Sequence, residues 1–229
     1  MKTGITAIIV ASGSSRRMGF DKLAAILNGK PVLARTVDTF LACPEITEII
    51  LVCPEGRFSS LLGGEIFTKP VHRVDGGAER HLSVANGLAA VSPDSQYIAI
   101  HDAARPLVSQ ADILATISAA RQNRAASLAR RVTETLKRTD EDDFTSEAVP
   151  RENLWHIETP QIFETQLIKA AYDHIIANHI LVTDETSALQ AHGHPTKLIP
   201  STSPNPKITT PADLEALQTG NPALKNTDH

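Results

Sequence analysis

The chain has 229 residues, 41% of them hydrophobic, and a formal net charge of -4. Such a chain can bury the core of one large α/β domain. Its mild acidity argues against a general nucleic-acid binder, so any cations that hold phosphate must be gathered locally. The two cysteines, Cys43 and Cys53, fall in a predicted helix and at the end of a predicted strand, which argues against a structural disulfide. The N-terminus shows no long apolar region with a small-residue cleavage pattern, and no membrane span is read. The expected location is the cytoplasm, with no membrane partner.

Ile5 to Val10 is a run of β-branched and small apolar residues that predicts a buried strand of a parallel sheet. It runs into Ala11-Ser12-Gly13-Ser14-Ser15, and Arg16, Arg17 and Lys22 follow. A small-residue loop at the carboxyl end of a strand is where open α/β sheets bind ligands. Its N–H groups can cradle phosphate oxygens, and fixed cations can neutralise a polyphosphate. A tight turn followed by a solvated basic surface is the plainer alternative. Strand, loop and basic cluster in this order favour phosphate binding. The Gly-Lys-Ser/Thr of a Walker A motif is missing, and Gly13 and Gly19 do not fit Gly-x-Gly-x-x-Gly.

Residues 31–42 predict a helix with Leu33, Val37, Phe40 and Leu41 on one face. Ile49 to Cys53 reads as a second buried strand, with a short helix near Phe58 to Leu62 and a third strand from Val71 to Val74. The pattern turns helical from Glu79, with Val84, Leu88 and Val91 on one face. Tyr97 to Ile100 is a fourth strand, and residues 109–121 are another helix. This alternation predicts a Rossmann-like, doubly wound, mostly parallel sheet flanked by helices.

Residues 132–152 break the rhythm. Val132 to Lys137 alternates like a strand, Asp140-Glu141-Asp142-Asp143 is an acidic turn, and Phe144 to Val149 is the return strand. The Asp-x-Asp within the turn is read as solvated rather than metal-binding. A polar hairpin is marginal alone, so this protruding β-arm predicts a second subunit to pack on. Helices follow near 164–178 and 183–192, with strands at Lys197 to Pro200 and Pro206 to Thr209. Thr210, Pro211 and Asp213 open the last helix as N-cap, first residue and capping-box partner. The tail from Gly220 is expected to be disordered. His192-Gly193-His194 is read as a polar turn, not a metal pair.

Ala11-Ser12-Gly13-Ser14-Ser15-Arg16-Arg17-Met18-Gly19 with Lys22 resembles the nucleotide signature of the sugar-nucleotidyltransferase-like superfamily. Later stretches narrow this. Asp75-Gly76-Gly77-Ala78-Glu79-Arg80 with Ser83, His101-Asp102-Ala103-Ala104-Arg105-Pro106, Thr135-Leu136-Lys137-Arg138, Leu154-Trp155-His156 with Thr159-Pro160-Gln161, Thr183 to Leu189, and Pro206-Lys207-Ile208-Thr209 occur in order. Together they resemble the 2-C-methyl-D-erythritol 4-phosphate cytidylyltransferase family over nearly the whole chain.

The resemblance implies a single nucleotidyltransferase domain over residues 1–229. It implies attack of the methylerythritol phosphate on the α-phosphate of CTP, with Mg2+ or another divalent cation and release of pyrophosphate. Arg17, Lys22 and Lys207 match the family's phosphate-contacting catalytic cations. Ala11, Ser12, Gly13, Ser14, Gly77, Ser83 and Asp102 are the expected nucleotide contacts. Asp102 sits just past an apolar strand, where it can bind the metal, orient substrate hydroxyls or merely cap. The resemblance favours substrate binding, with Arg105 beside it. Thr135 and Arg151 match arm residues that contact the acceptor of the other subunit in a homodimer. Departures are Ala78 after the Gly-Gly pair, Asp21-Lys22-Leu23 in place of Pro-Lys-Gln, and Asn205 before Pro206-Lys207 where Asn-Ile-Lys is common. A transferase for another polyol phosphate, such as ribitol 5-phosphate, and a nucleotide-binding module without turnover are the alternatives.

Overall fold

The computed structural model describes residues 4–13 and 18–219. The elements run β1 (Gly4–Val10), β2 (Ile26–Leu27), β3 (Lys30–Pro31), α1 (Val32–Ala42), β4 (Ile46–Val52), α2 (Glu55–Leu62), β5 (Val71–Val74), α3 (Arg80–Ala89) and β6 (Ser95–Asp102). They continue with α4 (Gln110–Asn123), β7 (Ala125–Arg131), β8 (Leu136–Thr139), β9 (Thr145–Val149), β10 (Trp155–Glu164), α5 (Thr165–Ala177), α6 (Glu185–Ala191), β11 (Lys197–Pro200) and α7 (Pro211–Gln218). Seven strands form the main sheet in the order β11-β7-β10-β6-β1-β4-β5. All neighbours are parallel except β10, which runs antiparallel to both β6 and β7.

The sheet is covered on both faces because its strands are apolar on both faces. Side chains alternate along a strand. Ile5, Ala7 and Ile9 of β1 join the cluster built with Leu33, Val37 and Phe40 of α1 and Ile113 and Ile117 of α4. Ile8 points the other way, into the cluster with Val84 and Leu88 of α3 and Ile168 and Tyr172 of α5. Gly87 lets α3 lie this close, since a Cβ there would come within 2.7 Å of Ile8 Cγ2.

The structure corrects several boundaries. Pro206 to Thr209 is not a strand. Pro204 and Pro206 offer no N–H to a ladder, and the segment meets the body of the sheet through a backbone bond from Ile208 N to Ala104 O at 2.9 Å. The strand read over Val132 to Lys137 is divided: β7 stops at Arg131 and the arm strand β8 starts at Leu136. The helix read over 183–192 begins at Glu185, because Asp184 caps it by accepting from Ser187 N at 3.1 Å. Two central strands, β7 and β10, have no counterpart in the sequence reading. The first is rich in alanine rather than β-branched residues, and the second contains Pro160, where its register shifts. Cys43 lies just past α1, and both cysteines are free and buried. His192 and Gly193 form the expected turn after α6. The expected tail from Gly220 lies outside the described residues.

No helix among the described residues is long and apolar enough to cross a membrane.

Candidate active site

The carboxyl ends of β1, β5 and β6 open on one cavity of about 580 Å3. The end of β1 supplies Ala11, Ser12 and Gly13, and the turn into α3 supplies Gly77 and Ser83. The Ser83 hydroxyl accepts from Gly77 N at 3.0 Å and from Ser12 Oγ at 2.9 Å, and donates to Glu79 O at 3.1 Å. One hydroxyl thereby ties the two small-residue turns together. They approach so closely that a Cβ on Gly76 would lie 2.3 Å from Ser12 Cβ.

Lys22 and Lys207 complete this cavity from two distant parts of the chain. The Lys22 ammonium donates to Ile208 O at 2.7 Å, next to Lys207. Lys207 Nζ in turn donates to Asp102 Oδ2 at 2.7 Å. A second cavity of about 370 Å3 adjoins the first, lined among others by Arg105, Thr159, Gln161 and Thr183. Arg80, Asp102 and Lys207 line both.

Asp102 is the centre of this shared wall. Arg80 reaches its Oδ1 from Nη2 at 3.2 Å and from Nε at 3.3 Å, and Arg105 Nε lies 3.8 Å from Oδ2. Burial opposes ionisation of Asp102, but Arg80, Lys207 and Arg105 outweigh it and hold the carboxyl well below the usual carboxylate range. The main chain is fixed as well. Asp102 N donates to Thr159 Oγ1 at 3.1 Å, and Thr159 Oγ1 lies 3.0 Å from His101 Nδ1. His101 Nε2 is 3.1 Å from Arg105 O, a pure acceptor, so Nε2 carries the proton and Thr159 donates to Nδ1. Complete burial pushes the His101 pKa down to about 4, so the ring is neutral.

The predicted residues thus divide. Ala11, Ser12, Gly13, Lys22, Gly77, Ser83, Asp102 and Lys207 meet in the first cavity, and Arg105 faces the second. Ser14 and Arg17 lie outside the described residues. Thr135 and Arg151 do not join either cavity of their own chain; both are exposed on the arm, where Arg151 donates to Thr133 O. Arg80 and Glu185 lie within the Asp-Gly-Gly and Thr-Asp-Glu motifs, where nothing in the sequence marks them as partners. Thr159 is likewise unmarked as the group that fixes Asp102 N and His101. Its only signal was its place beside a proline in the Thr-Pro-Gln stretch.

A family model described as IspD: 2-C-methyl-D-erythritol 4-phosphate cytidylyltransferase matches residues 5–219. The chain belongs to that family. A 2-C-methyl-D-erythritol 4-phosphate cytidylyltransferase of Desulforamulus reducens is 37% identical over 220 residues, covering 93% of this chain and 94% of the relative. One from Caldanaerobacter subterraneus is 39% identical over 216 residues, covering 92% and 95%. Among solved structures, 4-diphosphocytidyl-2C-methyl-D-erythritol synthase from Anaerococcus prevotii superposes with a TM-score of 0.84 at 32% identity, covering 96% of each chain. The Francisella tularensis cytidylyltransferase gives 0.80 at 29% identity, covering 93% of this chain and 97% of its own. The paired cavities described above therefore sit on a 2-C-methyl-D-erythritol 4-phosphate cytidylyltransferase scaffold along nearly the whole chain.

Proposed function

We propose that this chain joins CTP to 2-C-methyl-D-erythritol 4-phosphate, giving 4-diphosphocytidyl-2-C-methyl-D-erythritol and pyrophosphate in non-mevalonate isoprenoid precursor synthesis. The observation that carries this reading is the wall of Arg80, Asp102 and Lys207 common to both cavities. A nucleotide on one side and an acceptor phosphate on the other would meet across it. An oxygen of the acceptor phosphate attacks the α-phosphorus. The bond from that phosphorus to the bridging oxygen of the β-phosphate breaks, and pyrophosphate leaves with the electron pair. An ionised phosphate needs no general base, so the protein's work is charge neutralisation and alignment.

In this reading Arg17, Lys22 and Lys207 neutralise the triphosphate and the crowded phosphorus. Ala11, Ser12, Gly13 and Ser14 cradle it, and Gly77 and Ser83 contact base and ribose. Asp102 and Arg105 hold the acceptor. Among the described residues no group of three or more His, Cys, Asp or Glu could hold an ion, and Asp102 already faces three cations. With both Asp102 oxygens facing cations, the residues present fit a Mg2+ that would be held by the triphosphate's own oxygens, with Asp102 free to join only if a cation gives way, better than a cage built by protein alone. When bound, the ion neutralises phosphate charge.

Thr135 and Arg151 would serve the site of a second copy. The arm strands β8 and β9 are exposed along nearly their whole length, and Phe144 at their turn is 72% exposed. Such a hairpin needs a surface to lie on, which supports a homodimer. Two free thiols accord with a cytoplasmic location.

The test is pyrophosphate release by the purified chain with CTP, Mg2+ and 2-C-methyl-D-erythritol 4-phosphate, lost in Arg17→Ala. Ribitol 5-phosphate, run in parallel, is expected to be poor. Release with ribitol phosphate alone would overturn the acceptor. CTP binding without release with either acceptor would overturn the transferase.

A further inference from the structure

Arg57, on α2, makes three contacts that the mechanism does not use. Its Nη1 donates to Ala11 O, its Nη2 donates to Gly13 O at 3.2 Å, and its Nε donates to Asp21 Oδ2 at 2.9 Å. Ala11 and Gly13 stand on one side of residues 14–17, and Asp21 stands on the other, immediately before Lys22. The second oxygen of Asp21 accepts from Leu23 N at 3.1 Å. A single guanidinium therefore reaches both limbs of the phosphate loop, and the carboxylate carries the tie across Lys22 to the next peptide. The Arg57 side chain is only 12% exposed and Asp21 is 37% exposed, so the pair is partly shielded from solvent. Arg57 lines neither the nucleotide cavity nor the acceptor cavity.

The direction of these bonds matters. In a trans peptide the C=O and the following N–H point to opposite sides. With the Ala11 carbonyl drawn to Arg57, the Ser12 N–H points away from Arg57, and Ser12 lines the nucleotide cavity.

We propose that Arg57, partnered by Asp21, is a positioning residue that fixes the two limbs of the nucleotide loop against α2 and so sets the affinity for CTP. The proposal rests on the nucleotide reading of the first cavity. It gives Arg57 no contact with either substrate.

The test uses the full chain and four variants, Arg57→Ala, Arg57→Lys, Asp21→Asn and Lys22→Ala. CTP affinity is read by calorimetry, KM is read for each substrate separately, and folding is read by the melting midpoint. Loss of charge-assisted bonds on this scale predicts that Arg57→Ala weakens CTP binding and raises its KM by about tenfold to a hundredfold. The KM for the acceptor stays within about twofold. Asp21→Asn keeps a bond to Leu23 N and loses only charge, so it shifts CTP affinity the same way by about threefold to tenfold. Arg57→Lys can pair with Asp21 but cannot reach both carbonyls, and falls between wild type and Arg57→Ala.

A melting midpoint that drops while CTP affinity holds would overturn the proposal. So would an equal rise in both KM values. Should Arg57→Ala not fold, Asp21→Asn and Arg57→Lys decide, and unchanged CTP affinity in both sinks the idea. Lys22→Ala separates the two levels: if it loses activity while the Arg57 and Asp21 variants do not, the site reading stands and the positioning role falls. If Lys22→Ala binds CTP as wild type does, the site reading itself falls and takes the proposal with it.

Discussion

Glu185, fully buried at the start of α6, grips Arg80 through two hydrogen bonds of 2.5 and 3.1 Å. Tyr172 of α5 donates to the same carboxylate at 3.1 Å. Arg80 is thereby aimed at Asp102, and the charges alternate Glu185, Arg80, Asp102, Lys207 from the core outward. Removing the inner member leaves a partly buried cation with one partner fewer. We expect Glu185→Ala to cost about 3 kcal/mol of stability, the scale of a broken buried ion pair. It should also lower kcat/KM by at least about tenfold through a misplaced Arg80. Denaturant unfolding with steady-state kinetics on the same preparation checks both; a stable, fully active variant would refute this assignment.

Lys207→Met removes the closest partner of Asp102 while keeping the aliphatic stem. The carboxyl sits below its ordinary range because Arg80 and Lys207 overcome the cost of burial. A depressed carboxylate contributes stability above its unfolded pKa of about 4 and loses it as pH falls toward the folded value. The variant should therefore lose stability near pH 7, and the gap from wild type should narrow below about pH 4. If Lys207 faces phosphate as proposed, catalysis should fall by about a hundredfold or more at any pH.

His101 gives acid sensitivity of the same sign in a higher pH window. Its folded pKa is pushed down to about 4 by burial, below the ordinary 6.5. Between those values the unfolded chain binds a proton that the folded chain does not. Stability should therefore fall on acidification through this window, with a slope approaching about 1.4 kcal/mol per pH unit from this one group. His101→Gln removes the titration, so its stability curve from pH 6.5 to 4 should be flatter than wild type. Parallel curves would show that another group is responsible.

Gly76→Ala should impair CTP binding, because the new methyl would meet Ser12 Cβ at 2.3 Å and prise apart the two turns that Ser83 joins. We expect KM for CTP to rise by at least about tenfold. Gly64→Ala, where a Cβ meets nothing within 4 Å, is the control and should leave KM unchanged.

The arm can be tested by mixing inactive chains. If Arg151 serves the neighbouring site, Lys22→Ala and Arg151→Ala chains refolded together give mixed dimers with one intact site each. Random pairing makes half of the dimers mixed, so roughly a quarter of wild-type activity should return. No recovery, with dimers present by sedimentation, would place Arg151 outside the shared site.

The sheet core was legible because Ile5 to Val10, Ile49 to Cys53 and Tyr97 to Ile100 are runs of apolar and β-branched residues with turn residues at their ends. The loop after β1 was legible for the same reason: an abrupt change from apolar bulk to small residues and cations. The strand pair β7 and β10 was not, since Ala125-Ala126-Ser127-Leu128-Ala129 has no β-branched signal and Pro160 interrupts a ladder. Their pairing is set by tertiary packing between β11 and β6. The roles of Glu185 and Arg57 were invisible for a different reason. Each acts on a residue remote in sequence, 105 positions away for Glu185 and Arg80 and 44 for Arg57 and Gly13. Periodicity and motif spacing say nothing about such distances.

Ile208 uses both of its main-chain groups, the N–H on Ala104 and the carbonyl on Lys22. Its segment comes after β11, the last strand of the sheet to be made. A chain cut back to residue 200 would therefore keep all seven strands and lack both Lys207 and the carbonyl to which Lys22 donates. The strands that shape the first cavity and the late segment that closes its charged wall are thus separable in the chain, the first lying before residue 201 and the second after it.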